Sequence, residues 1–301
     1  MRDVIVRQVF IALVLALGAT LAYAQGVLRV ATVNYPLAYF AERIGSAAVT
    51  VRFPAPREVD PAFWNPDAAS VLAYQMADLI LLNGAGYARW VGRASLPRRK
   101  LVDTSRAFRE RLLKIEDAAT HAHGPSGAHA HTGTAFVTWL DPMQAIEQAR
   151  AIKDAFTRAR PALAKQFDEN FEQLGAELKT LDAALGAAFK PLASQPLVAS
   201  HPVYQYLARR YALDLRSVQW EPDSEPSASQ WRDFGKLLET HRARFMLWEA
   251  APQTATEKRL AAMGVRSIVF APAPSVPVTG DFMRVMQDNV AALRAAAQSA
   301  R

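Results

Sequence analysis

A chain of 301 residues with 51% apolar and 21% charged side chains can bury a sizeable core, as one large domain or two of ordinary size. It has no cysteine, which excludes disulfides, thiolate zinc sites, iron–sulfur clusters and cysteine nucleophiles, so any metal must be held by nitrogen and oxygen. The net charge of +7 is spread along the chain and the densest basic run, Arg98-Arg99-Lys100, does not interleave with aromatics, so a solvated basic surface is expected rather than a nucleic-acid groove.

The N-terminus reads as an export signal. Arg2 and Arg7 give a positive start, Val9 to Leu21 is almost wholly apolar, and Ala22-Tyr23-Ala24 forms a cleavage site before Gln25. The apolar run is too short to span a bilayer comfortably. A cleaved signal peptide over 1–24 and a periplasmic mature chain are therefore expected, with an uncleaved anchor as the alternative.

Strand-like runs then alternate with helical ones. Leu28–Val33, Val49–Phe53 and Leu79–Leu82 read as strands, with helices near Leu37–Ile44 and Asp67–Ala77. Next comes a histidine-rich stretch: His121, His123, His129 and His131 fall within eleven residues, spaced by Ala, Gly, Pro and Ser. Such spacers cannot build a packed core, and two H-x-H pairs on a loop can chelate Zn²⁺ or Cu²⁺ weakly. The alternative is a solvated spacer. Asp141 as N-cap and Pro142 at the first helical position open another helix.

From Leu163 the apolar residues Phe167, Phe171, Leu174, Leu178, Leu181, Leu185 and Phe189 follow at steps of 4, 4, 3, 4, 3, 4 and 4, between Pro161 and Pro191. That is one uninterrupted helical stripe, the mark of a rigid strut rather than a flexible linker. The alternation resumes beyond it, with strands at Leu197–Ser200, Ser217–Trp220, Phe245–Trp248 and Ser267–Phe270 and helices at Val203–Tyr211, Ser227–His241, Ala255–Met263 and Asp281–Ala297. The expected fold is α/β, with two Rossmann-like lobes of parallel sheet, helices on both faces, bridged by one long rigid helix. The expected division is 25–158 for the first lobe, with the histidine-rich loop at 118–134, then 159–189 for the bridging helix and 190–301 for the second lobe.

Ligands in such sheets collect at the carboxyl ends of strands. His201 follows one strand and Glu249 ends another, which makes both candidate binding residues. Each also has a structural alternative, a satisfied strand-end histidine and a helix-capping or ion-paired glutamate. Asp60 is expected mainly to shape its Asp-Pro turn, and Glu58 is a weaker carboxylate candidate. Trp64, Trp139, Trp220 and Trp248 are expected in the core or the cleft wall. No G-x-S-x-G, H-E-x-x-H, phosphate-binding loop or G-x-G-x-x-G is present, so no enzymatic activity is expected.

Five stretches in order carry a resemblance: Asp60 to Asp67 with Ala77 to Gly84, Trp139-Leu140-Asp141-Pro142, Ser200 to Leu207, Trp248-Glu249, and Gly280-Asp281-Phe282 with Met286 and Asn289. Together with the histidine-rich insert, the sequence resembles the zinc/manganese solute-binding proteins of bacterial ABC importers over nearly its whole mature length. The resemblance implies two four-stranded lobes bridged by one helix. It also implies a divalent cation, Zn²⁺ with Mn²⁺ or another ion as alternatives, held in the cleft of a monomer that serves a membrane permease. Of the ligand positions usual in that family only His201 keeps its donor; Glu249 and the loop histidines His121, His123, His129 and His131 are the further candidate metal-site residues. The chain departs from the family pattern where further ligands are usual: Ala62 and Val137 stand at histidine positions, and about Ala271 at an aspartate position. A drifted paralogue with a non-metal ligand, or a ligand-free regulator of an importer, is therefore the alternative reading.

Overall fold

The computed structural model describes residues 26–115, 120–122, 128–130 and 133–298. The expected signal at 1–24, and His123 and His131, lie outside them. The first lobe is a parallel sheet in the order β2-β1-β3-β4, with β1 Leu28–Thr32, β2 Val49–Arg52, β3 Leu79–Leu82 and β4 Leu101–Asp103. Its helices are α1 Tyr35–Gly45, α2 Ala68–Met76 and α3 Pro142–Ala159. The second lobe repeats the plan, in the order β10-β9-β11-β12, with β9 Leu197–Ala199, β10 Leu215–Ser217, β11 Phe245–Trp248 and β12 Arg266–Val269.

Between the lobes runs α4, Ala164–Phe189, and the second lobe adds α5 Gln205–Tyr211, α6 Ala228–Thr240, α7 Thr254–Ala262 and α8 Phe282–Gln298. Two short antiparallel ribbons interrupt the first lobe: β5 Lys114–Ile115 with β8 Gly133–Thr134, and β6 Thr120–Ala122 with β7 Ala128–Ala130. Among the described residues no helix is long and apolar enough to cross a membrane.

Local chemistry explains most boundaries. Asn34, Asp67, Asp141 and Ser227 accept from backbone N–H groups at the starts of α1, α2, α3 and α6, and Ser227 forms a reciprocal capping box with Gln230. Pro161 opens a single 3₁₀ turn, Pro161–Leu163, before α4 proper begins. Two strand expectations are corrected. β4 was hidden in the sequence because it is only three residues long and follows directly on the basic run. The strand expected at Ser217–Trp220 is centred earlier, at Leu215–Ser217. Val218 and Trp220 still donate to Ala199 and Ser200, so the chain stays extended past the regular ladder.

Strand alternation is visible in the second sheet. Leu197, Ala199, Phe245 and Leu247 face the large apolar cluster, while Val198, Met246 and Trp248 face a second one with Trp220, Trp231 and Phe234. The large cluster also takes in Val30, Phe40, Ile152 and the α4 stripe. The lobes are thus not separate bodies around separate cores; one core passes through both. Phe167 at the start of α4 packs edge-on to Phe156 of α3 (5.6 Å between centroids), and Phe189 at its end stacks on Tyr211 (5.3 Å). At 26 residues α4 is about 39 Å long.

Polar contacts follow the same division. Asn170 donates to the Ile44 carbonyl and Arg43 forks onto Glu177, both in the first lobe's direction, whereas Asp182 accepts from Arg210 and Tyr211 of the second. Arg209 and Arg210 also face Asp141, at 3.5 and 3.9 Å, across the lobe junction. The C-terminal helix α8 closes a second bridge: Phe282 sits 5.6 Å from Tyr39 and 5.5 Å from Phe40 of α1.

Leu178 is fully buried mid-stripe, so Leu178→Ala is expected to cost about 2–5 kcal/mol. The melt should remain a single transition, because the shared core gives neither lobe an independent unit; differential scanning calorimetry checks both. Arg43 holds Glu177 below the usual carboxylate range. Burial alone would raise Asp182, but Arg210 and Tyr211 outweigh it and hold it low. Carboxylates depressed on folding contribute in full above about pH 4 and lose that contribution as pH falls through their lowered folded values. Glu177→Gln with Asp182→Asn is therefore expected to flatten the acid limb of the melting-temperature profile, at about 1 kcal/mol or less per partly exposed pair.

Candidate functional site

Both sheets point their carboxyl ends at the junction, and the loops leaving them enclose a cavity of about 30 Å³. That is room for two or so water-sized species, against the ~300–1,000 Å³ usual for organic ligands. The second lobe contributes His201, Val203, Glu249, Pro272 and Pro274; the first contributes Asp60, Phe63, Tyr87, Phe136, Val137 and Trp139.

His201 is placed by its neighbours. Ser200 donates to Leu247 of β11 and accepts from Trp220, so the residue before His201 is tied to the chain on either side of β9. The imidazole is buried, and its Nδ1 lies 3.6 Å from Glu221 Oε1 and 3.8 Å from Glu249 Oε1. Two sequence candidates, His201 and Glu249, thus meet at one nitrogen. Glu221 was missed; it follows the extended segment after β10, and the strand-end rule that singled out Glu249 would have found it.

Asp60 does what its Asp-Pro turn implies. Its Oδ1 accepts from Ala62 N–H at 2.9 Å and its carbonyl accepts from Phe63 and Trp64, while the residue also borders the cavity. Glu58 is exposed and does not line it. Trp139, Trp220 and Trp248 are buried and Trp64 is partly so. His121 and His129 are directly opposed partners of the β6–β7 ribbon.

The departures from the family pattern have structural consequences. Ala62 is buried and its neighbour Phe63 borders the cavity instead, edge-on to Phe136. Val137 presents an apolar wall. Ala271 is gripped through its backbone: its N–H donates to Asn289 Oδ1 and its carbonyl accepts from Asn289 Nδ2, both at 2.9 Å. That pairing fixes the loop after β12, in which Trp139 Nε1 donates to Pro272 O (2.8 Å), Tyr35 N–H donates to Pro274 O (2.9 Å), and Ala273 is held at φ 55°. A left-handed alanine costs roughly 1–2 kcal/mol, which these flanking bonds offset.

On the opposite wall Asn83 donates to the Phe136 carbonyl and accepts from both Asn34 and Gln148. The Tyr206 hydroxyl clamps the β5–β8 stem, accepting from Leu113 N–H and donating to Ala135 O. The phenols of Tyr87 and Tyr204 are pushed well up, chiefly by burial and then by the negative charges of Asp60 and Glu249 respectively. Among the described residues no three His, Asp or Glu side chains converge closely enough to hold a metal ion by themselves.

Compared with known proteins, the chain matches the family described as ZnuA, zinc-uptake complex component A periplasmic, over residues 30–296. Zinc-binding lipoprotein AdcA of Streptococcus pneumoniae (strain ATCC BAA-255 / R6) is 25% identical over 283 residues, 90% of this chain and 56% of that protein. The chain therefore spans little more than half the length of such relatives. The fold agrees with the Zn(II)-bound ZnuA-like domain of the same species' AdcA, at TM-score 0.74 and 22% identity, covering 90% of this chain and 98% of that one. It agrees as well with FpvC of Pseudomonas aeruginosa in complex with Mn²⁺, at TM-score 0.73 and 23% identity, covering 91% and 99%.

Asn289→Ala is expected to destabilise the fold by about 1–3 kcal/mol, because it leaves the Ala271 N–H and carbonyl without their partners. Urea unfolding checks this; an unchanged midpoint would show that the amide does not secure the loop.

Proposed function

Because the chain belongs to the ZnuA family of periplasmic zinc-uptake components, we propose that it is the solute-binding subunit of a metal-importing ABC transporter. It captures a divalent cation, Zn²⁺ first and Mn²⁺ as the alternative, in the cleft between its lobes and delivers it to a membrane permease. It carries out no catalysis. The export signal at 1–24, the lobes at 25–158 and 190–301 and the bridging helix at 159–189 complete this reading, with the mature protein acting as a periplasmic monomer.

The observation that carries it is the meeting of His201, Glu221 and Glu249 within 4 Å of one imidazole nitrogen at the mouths of three strands. Imidazole nitrogen and carboxylate oxygen suit a borderline divalent cation, and the cavity is of ionic rather than organic size. His201 and Glu249, which both line the cavity, would hold the ion, with Glu221 beside the same imidazole nitrogen adding negative charge, and solvent would complete its coordination. Affinity should therefore lie well below that of a site with three histidines. His121, His123, His129 and His131 form a second, weaker and more adaptable collecting site on the loop.

The test separates cleft from loop. In the full chain carrying His121→Ala, His123→Ala, His129→Ala and His131→Ala, zinc is expected to raise the melting temperature. Ion at 100 times its dissociation constant stabilises the fold by about 2.7 kcal/mol, and His201→Ala should abolish the shift. If neither zinc nor manganese moves the melt, Ala62 and Val137 mark a cleft that has drifted to another role, and the regulator or non-metal reading replaces this one.

A further inference from the structure

We propose that Tyr87 is a further binding residue of the cavity, whose hydroxyl holds a water carried by the cation, so that the cleft takes a divalent cation still partly hydrated. This rests on the cation reading above and specifies the form in which the ion is bound.

The Tyr87 side chain is buried, lines the cavity, and its hydroxyl has no hydrogen-bond partner among the described residues. A buried phenol is normally paired, because an unpaired one forfeits its hydration. Its ring is held firmly: it packs edge-on to Phe136 (5.3 Å) and to Trp139 (5.7 Å). The backbone makes an unusual approach to deliver it. Gly84, Ala85 and Gly86 all have positive φ, at 73°, 53° and 75°, and Tyr87 N–H then closes the turn on Gly84 O. Two glycines make this path accessible, but Ala85 is strained in it, and such strain persists where the neighbouring residue is held for a purpose.

The chemistry of the walls says what that purpose is. Nitrogen and carboxylate donors come from the second lobe, as His201 and Glu249. On the first-lobe side Phe63, Phe136 and Val137 are apolar, and the Trp139 N–H is already spent on Pro272. Tyr87 and Asp60 are the polar side chains left there. A cation seated against His201 and Glu249 meets too few protein donors to fill a four-coordinate shell and keeps water on its far side. Water bound to a divalent cation is a strong hydrogen-bond donor, and leaving it unpaired against an apolar wall is costly. The phenol oxygen can accept that hydrogen bond, and its own O–H remains able to donate toward the negative charge of Asp60. Tyr87 is in this sense a positioning residue that acts through the ion's water.

Tyr87→Phe tests the inference in the full chain bearing the four loop His→Ala substitutions, titrated calorimetrically with zinc and with manganese. Loss of an outer-shell hydrogen bond should weaken binding about tenfold. The metal-free melting temperature should be unchanged or raised, since the substitution keeps the ring packing and removes an unpaired buried hydroxyl. Unaltered affinity would overturn the inference while leaving cation capture intact. Weaker binding accompanied by a lower metal-free melting temperature would also overturn it, marking Tyr87 as purely structural. Failure of the parent protein to bind either ion would overturn the cation reading and this inference with it.

Discussion

One apolar stripe on one helix governs the geometry of this molecule. The helix Ala164–Phe189 buries Phe167 against the first lobe and Phe189 against the second, with Leu174, Leu178, Leu181 and Leu185 filling the core between them. A helix this long, packed along its whole length, cannot bend at its middle without opening the core that it fills. The return of the C-terminal helix to Tyr39 and Phe40 makes a second tie. The lobes are consequently held at one separation, and the loops at their carboxyl edges meet in a cavity only a few atoms wide.

Within this frame the cleft is chemically lopsided. The second lobe brings a buried imidazole with two carboxylates near it, and the first brings aromatic rings, a valine, one phenol and the Asp60 carboxylate. Ala62 and Val137 bring no donor side chain to the first-lobe wall, and Phe63 and Phe136 line it with apolar surface. Such a wall lowers the local dielectric and strengthens whatever charge interactions remain on the other side. The same wall penalises a bare hydrated ion, so the few polar groups left there carry more weight than they would in an open site.

Rigidity is maintained by backbone pairing as much as by packing. Asn289 grips Ala271 through both its amide groups, Asn83 holds the Phe136 carbonyl, and Tyr206 clamps the stem that leads into the histidine-rich stretch. These contacts tie the cavity walls to helices and strands outside the site, so the loops inherit the stiffness of the sheets.

Periodicity made the architecture legible in the sequence. The stripe of steps of three and four, the strand runs around Leu79–Leu82 and Phe245–Trp248, and the caps at Asp67, Asp141 and Ser227 are local signals, and each acts over a few residues wherever the chain goes. His201 and Glu249 were legible for a related reason, since the end of a strand can be read once the strand is. Glu221 was open to the same rule, whereas Tyr87 and the Asn289–Ala271 pair were not legible, because their roles depend on residues that lie 18 or more positions away in the chain. The three-residue strand Leu101–Asp103 was hidden because it is too short for any period to show; its neighbour β3 makes it a strand. The sequence by itself determined most of the elements, the two-lobe plan and the apolar side chains at Ala62 and Val137. Only the tertiary structure decided that the lobes share one core, how small the cleft is, and which side chains face one another across it. Those are matters of distance between segments, and distance between segments is set by packing.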